Sequence, residues 1–97
     1  MLEYRTGLTP PTVHHGEAEL VHVLQGNATF MSGGKLIGST PMRPGATTDS
    51  GTGIEGATPR KLAAGDILLV PPDTAHQFQD VNGEFIIISV HMFMPAK

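Results

Sequence analysis

The stretch from Gly65 to Asp80, GDILLVPPDTAHQFQD, limits what this chain can fold into more than any other. Gly65-Asp66 is a turn signal, and Ile67 to Val70 is a short apolar run bounded by breakers, the pattern of a buried strand. Pro71 and Pro72 end that run, because neither has an N–H to give to a sheet ladder. Asp73-Thr74 brings turn chemistry, and His76 then opens a second strand between Ala75 and Phe78. A histidine delivered by a rigid corner to the lip of a β-structure suits a metal ligand. The same placement also suits a core histidine with its hydrogen bonds satisfied.

Short strands and turns are expected throughout, since the 97 residues include 12 glycines and 8 prolines. A chain of this length makes one domain, whose small interior gains from a metal or from oligomerisation. There is no cysteine, so any metal must be held by His, Asp or Glu. The net charge of −3 and the lack of a basic run argue against nucleic acid. No apolar run reaches the roughly 18 residues that span a membrane. The opening MLEYRTG has no signal-peptide core, which leads to the expectation of a cytoplasmic protein with no membrane partner.

Leu2 to Arg5 fits a first strand, and Thr9-Pro10-Pro11-Thr12 an extended segment. Glu19 to Leu24 fits a strand whose alternation puts Glu19, Val21 and Val23 on one face and Leu20, His22 and Leu24 on the other. An acid among valines on a buried face is costly unless it is paired or metal-bound. Gln25-Gly26-Asn27 predicts a hairpin turn, with Ala28 to Met31 leading back. Residues 32–59 are rich in Gly, Ser, Thr and Pro; apart from a short strand at Lys35 to Ile37, they predict a long loop, as a lid, a binding loop or a mobile segment. Thr58 to Leu62 predicts a returning strand. Val81-Asn82-Gly83-Glu84 predicts a type I′ hairpin turn that pairs His76–Asp80 with Glu84–Phe93. The run FIIISVHMF is apolar on both faces, as a central or interface strand would be. His91, on the face with Phe85, Ile87 and Ser89, and His22, facing away from Glu19, read as core or interface histidines.

Gly65, Pro71 and His76 resemble the second signature of the cupin superfamily in identity and spacing, with Asp73 where that signature has glycine and Asp80 where it has asparagine. Both replacements tolerate the left-handed conformation. Glu19, with six residues between it and Gly26, resembles the end of the first signature, and VLQG resembles the family's VLEG. The signature's two histidines, separated by one residue, are replaced here by the adjacent pair His14-His15. His15 keeps the commoner spacing to Glu19 and, by alternation, its face. His14 fits the longer spacing if Gly16-Glu17 is irregular. The preference falls slightly on His15, with the other histidine facing solvent or the long loop.

The resemblance implies an all-β fold, a small cupin β-barrel or jelly roll (double-stranded β-helix), in one domain over 1–97, with a homodimer as the usual assembly. It implies a metal site drawn from His14, His15, Glu19 and His76. Imidazoles with one carboxylate suit a divalent transition metal: Fe, Mn, Ni, Zn or Cu. Glu19 fits two roles, metal ligand or general base. The function implied is a metal-dependent enzyme acting on a small oxygen-rich molecule, of lyase, isomerase or dioxygenase type. The alternative is a non-catalytic small-molecule or metal-binding module, and the competing fold is an unrelated β-sandwich with no metal.

Overall fold

The computed structural model describes residues 2–5 and 10–93. They form β1 (Leu2–Arg5), β2 (Thr12–His14), β3 (Glu17–Ser32), β4 (Lys35–Ile37), β5 (Thr40–Pro41), β6 (Thr48–Ser50), β7 (Gly53–Glu55), β8 (Thr58–Ala63), β9 (Ile67–Val70) and β10 (His76–Phe93), with no helix among them. The main sheet runs β5-β6-β2-β10-β3-β8, with β1 added on β10 and β9 on β3, and it is not closed on itself. All its pairings are antiparallel. A separate two-stranded ribbon joins β4 to β7. Residues 32–59 are therefore not one long loop: β6 extends the main sheet through β2, and β4 and β7 pair with each other.

Two predicted hairpins are replaced by a single long pairing. β3 runs unbroken through Gln25-Gly26-Asn27, and β10 runs unbroken through Val81 to Glu84. These two turn-like segments lie opposite each other, with Asn27 paired to Asn82 and Gln25 to Ile86, and the register shifts on both sides of that point. The extra residues are absorbed as bulges, which bend a strand without reversing it. Gly26 has φ +85°, and a Cβ there would collide with the Glu84 carbonyl oxygen, so close approach of the two strands requires glycine. Asp80 supplies a second left-handed residue, at φ 50°. The chemistry that permits a type I′ turn equally permits a bulge, and continuous pairing between β3 and β10 decides between them.

Alternation along the bent pair then sorts the side chains. Val21, Val23, Ala28 and Phe30 of β3 meet Phe78, Phe85 and Ile87 of β10, Leu62 of β8, and Leu68 and Val70 of β9 in one buried cluster. Phe78 lies between Phe30 and Phe85 at ring-centroid distances of 5.1 and 5.5 Å. Each such aromatic contact contributes about 1 kcal/mol beyond its buried area. The outer face is apolar as well: Leu20 pairs with Leu69 and Val90, and His22 with Ile67 and Ile88. Ile67 and Leu69 are each 58% exposed. No helix among the described residues is long and apolar enough to cross a membrane.

Candidate metal centre

At one end of the inner face the apolar core gives way to polar side chains. β3 places Glu19 on the same face as Val21 and Val23, and this residue is only 3% exposed. Directly across the ladder stands His91, and β9 places Val70 on the other side. β2 brings His14, and β10 brings His76 from its first residue. The imidazole Nε2 atoms of His14, His76 and His91 lie 3.6, 3.4 and 3.8 Å from the Glu19 carboxylate oxygens. His14 also packs edge-on to His91, with ring centroids 4.9 Å apart.

Neighbouring groups fix the direction of each ring. His76 donates from Nδ1 to the Thr74 carbonyl at 3.1 Å, which turns Nε2 toward Glu19. His14 engages the Thr48 hydroxyl through Nδ1 at 2.9 Å, so its Nε2 faces inward. Glu17 stands 3.9 Å from Nδ1 of His91. The buried Ser89 hydroxyl donates to Glu19 Oε2 at 2.5 Å and orients the carboxylate. Partners of this kind hold metal-binding imidazoles and carboxylates in place.

The electrostatics suit ligands. Burial pushes the Glu19 carboxyl upward, but the His76 imidazole and the Ser89 hydroxyl outweigh it and hold the pKa at about 2. Burial, reinforced by His76, pushes His14 below its ordinary 6.5 and favours the neutral, ligating form. The distances fit too. Separations of 3.4 to 3.8 Å are too long for good hydrogen bonds. Two donors about 2.1 Å from one ion at a tetrahedral angle stand about 3.4 Å apart. One donor atom from each of His14, Glu19 and His91 lies within 4.8 Å of the others, so this trio could hold a metal ion; His76 adjoins it through Glu19.

Of the four residues that the sequence nominates for the metal, His14, Glu19 and His76 meet here and His15 does not. The slight preference for His15 therefore gives way to His14. β2 ends at His14 and β3 begins at Glu17, with Gly16 between them at φ +75°. That turn breaks the alternation on which the preference rests. His15 instead lies exposed between two aspartates, Nδ1 2.9 Å from Asp73 Oδ1 and Nε2 2.8 Å from Asp49 Oδ2. Asp73 adopts φ 60° in its turn and donates its backbone N–H to the His14 carbonyl at 3.1 Å.

His91 reads from the sequence as a core or interface histidine, yet it stands in the cluster. Its alternation with Phe85, Ile87 and Ser89 is visible in the sequence, but its position opposite Glu19 follows only from the long β3–β10 register. No family model, curated protein or solved structure matches this chain.

Proposed function

We propose that this chain is a divalent-metal-binding cupin, with its bent sheet completing a small β-barrel or jelly roll, and that it is a metal-dependent enzyme acting on a small oxygen-rich molecule. The observation that carries the reading is the buried Glu19 carboxylate faced by the Nε2 atoms of three histidines at 3.4 to 3.8 Å. Nitrogen donors with one hard oxygen favour Fe, Mn, Ni, Zn or Cu over Ca or Mg. Such an ion supplies Lewis acidity or, if it is iron, dioxygen chemistry.

The side chains take distinct roles within that reading. A carboxyl held at about 2 is a weak base at neutral pH, so Glu19 serves as a ligand rather than as general base. His14 and His76 present Nε2 because Thr48 and Thr74 occupy Nδ1. His91 supplies the histidine that the adjacent His14-His15 pair withholds from the family pattern. It is also the most exposed of the three rings, so its side is where substrate oxygens would approach.

Elemental analysis of purified protein, followed by titration of chelated protein with Mn, Fe, Ni, Zn and Cu, tests the reading. Saturable binding that His14→Ala weakens by about a hundredfold or more is expected, and the absence of saturable binding to any of the five would overturn it. Turnover on a panel of carboxylic acids and catechols separates an enzyme from the second reading, a binding module. The outer apolar strip around Leu20, Leu69 and Val90 supports a homodimer, since an exposed apolar sheet face invites cover. Light scattering at micromolar concentration that gave a monomer mass would contradict it.

A further inference from the structure

Near the histidine cluster, at the rim where the sheet opens to solvent, lies a half-open cavity of about 100 Å³, whose lining includes Phe30, Ser32, Arg60, Leu68, Val70 and Thr74. A single water needs roughly 10 to 15 Å³ by the same measure, so the cavity has room for about seven to ten water-sized groups. Its walls adjoin the residues that build the cluster. Val70 pairs with Glu19, the Phe30 ring lies 5.9 Å from that of His76, and the Thr74 carbonyl accepts the His76 Nδ1 proton.

Arg60 is the anomaly in this lining. In the β3–β8 ladder it stands directly opposite the core residue Phe30, and its strand neighbour on that face is the buried Leu62. Arg60 thus occupies a core-facing register at the end of the sheet where the face opens to solvent. No carboxylate among the described residues pairs with it. The Ser32 hydroxyl, two residues from Phe30 on the same face, makes no hydrogen bond to another described residue. The Thr74 hydroxyl has only a 3.3 Å bond to the carbonyl of Pro72 in its own turn. Uncommitted donors over an apolar floor of Phe30, Leu68 and Val70 describe a receptor for a group with a charged end and a short carbon body. The planar guanidinium fork matches a carboxylate.

We propose that this cavity binds the carboxylate of a small carboxylic acid, held by Arg60 and Ser32, with its short carbon chain against Phe30, Leu68 and Val70. The carboxylate site stands on the cavity alone. That the acid is the substrate, with its far end turned toward Glu19 and the histidines, rests on the metal-centre reading. A neutral molecule would leave the guanidinium unused.

Propionate is the probe, titrated into chelated, metal-free protein while the Arg60 Nε–H and the Ser32 and Thr74 amides are followed by NMR. Saturable shifts at these three positions are expected, with none from the uncharged propionamide. Arg60→Gln should weaken propionate at least about tenfold, the cost of losing a charged hydrogen-bonding partner. Arg60→Lys, which keeps the charge and loses the fork, should fall between wild type and Arg60→Gln. Because Arg60 is exposed, both variants should fold, as their unchanged core resonances would show. Equal binding of propionate and propionamide overturns the proposal, as does unchanged affinity in Arg60→Gln or shifts confined to His14, His76 and His91. Failure of the metal reading looks different: the Arg60 shifts remain, and no first-row ion binds when it is supplied.

Discussion

His14 lies partly buried beside Glu19, where burial and the nearby His76 lower its pKa, whereas His15, the next residue, sits exposed between Asp49 and Asp73, whose hydrogen bonds raise it. One side chain is held ready as a neutral donor; the other is a cationic clamp that ties β2 to β6 and to the turn before β10. Gly16 makes the division, since a regular strand would have sent His15 rather than His14 toward Glu19. Residue type alone therefore says little about a histidine's job. The carboxylates that face it, and the water left around it, decide.

Removing one ring at a time tests this division most directly. His14→Ala should lower affinity for a first-row divalent ion by about a hundredfold or more, because it removes a ligand outright, and His91→Ala should do the same; calorimetric titration of chelated protein measures both. An undiminished affinity in His91→Ala would remove that residue from the site. Ser89→Ala acts one step back. It should weaken the ion about tenfold and cost about 1 to 3 kcal/mol in urea unfolding, because the buried Glu19 oxygen loses a donor.

In metal-free protein the two histidines should respond oppositely to pH. Glu19 has a folded pKa of about 2, below its ordinary 4.5, so its contribution is complete above 4.5 and is lost as pH falls toward 2. His14, also depressed, contributes fully above 6.5 and loses that contribution as the pH drops through and below it. His15 runs the other way: its contribution is present below 6.5 and disappears as pH rises through its raised folded value. Urea midpoints measured across pH 3 to 9 should thus show an acid arm that His14→Gln reduces and an alkaline arm that His15→Ala removes. The smallest effect belongs to His15→Ala at neutral pH. Its ion pairs are exposed and screened, so the stability loss should be about 1 kcal/mol or less. Metal affinity should stay within about a factor of two. A large loss of metal in this variant would place His15 in the site after all.

What can be read from the sequence is local. The strand at Ile67–Val70 is bounded by breakers on both sides, and the position of Glu19 among valines follows from a period of two. Asp73, with φ 60°, and Asp80, with φ 50°, take the left-handed conformation that aspartate tolerates. What cannot be read is long-range or ambiguous in its chemistry. Gly26 and the Asn82-Gly83 pair carry turn signals, and only their position opposite one another makes them bulges. His91 reaches Glu19 through a register that no local window contains. Nothing in the local sequence singles out Arg60, which the ladder sets opposite Phe30.

The long β3–β10 ladder also sets a timetable. Ser89 and Glu19 are bonded across 70 positions of sequence, and His76 and His91 both ride on the strand made last among those described. During synthesis β3 emerges early and lacks its main partner until β10 follows, so for that interval a strand rich in valine and leucine is open to wrong pairings. Pairings between segments so distant in sequence form slowly. Any ion held jointly by Glu19 of β3 and the histidines of β10 would in a refolding experiment be taken up only as this pairing closes, and the rate of uptake would time that pairing.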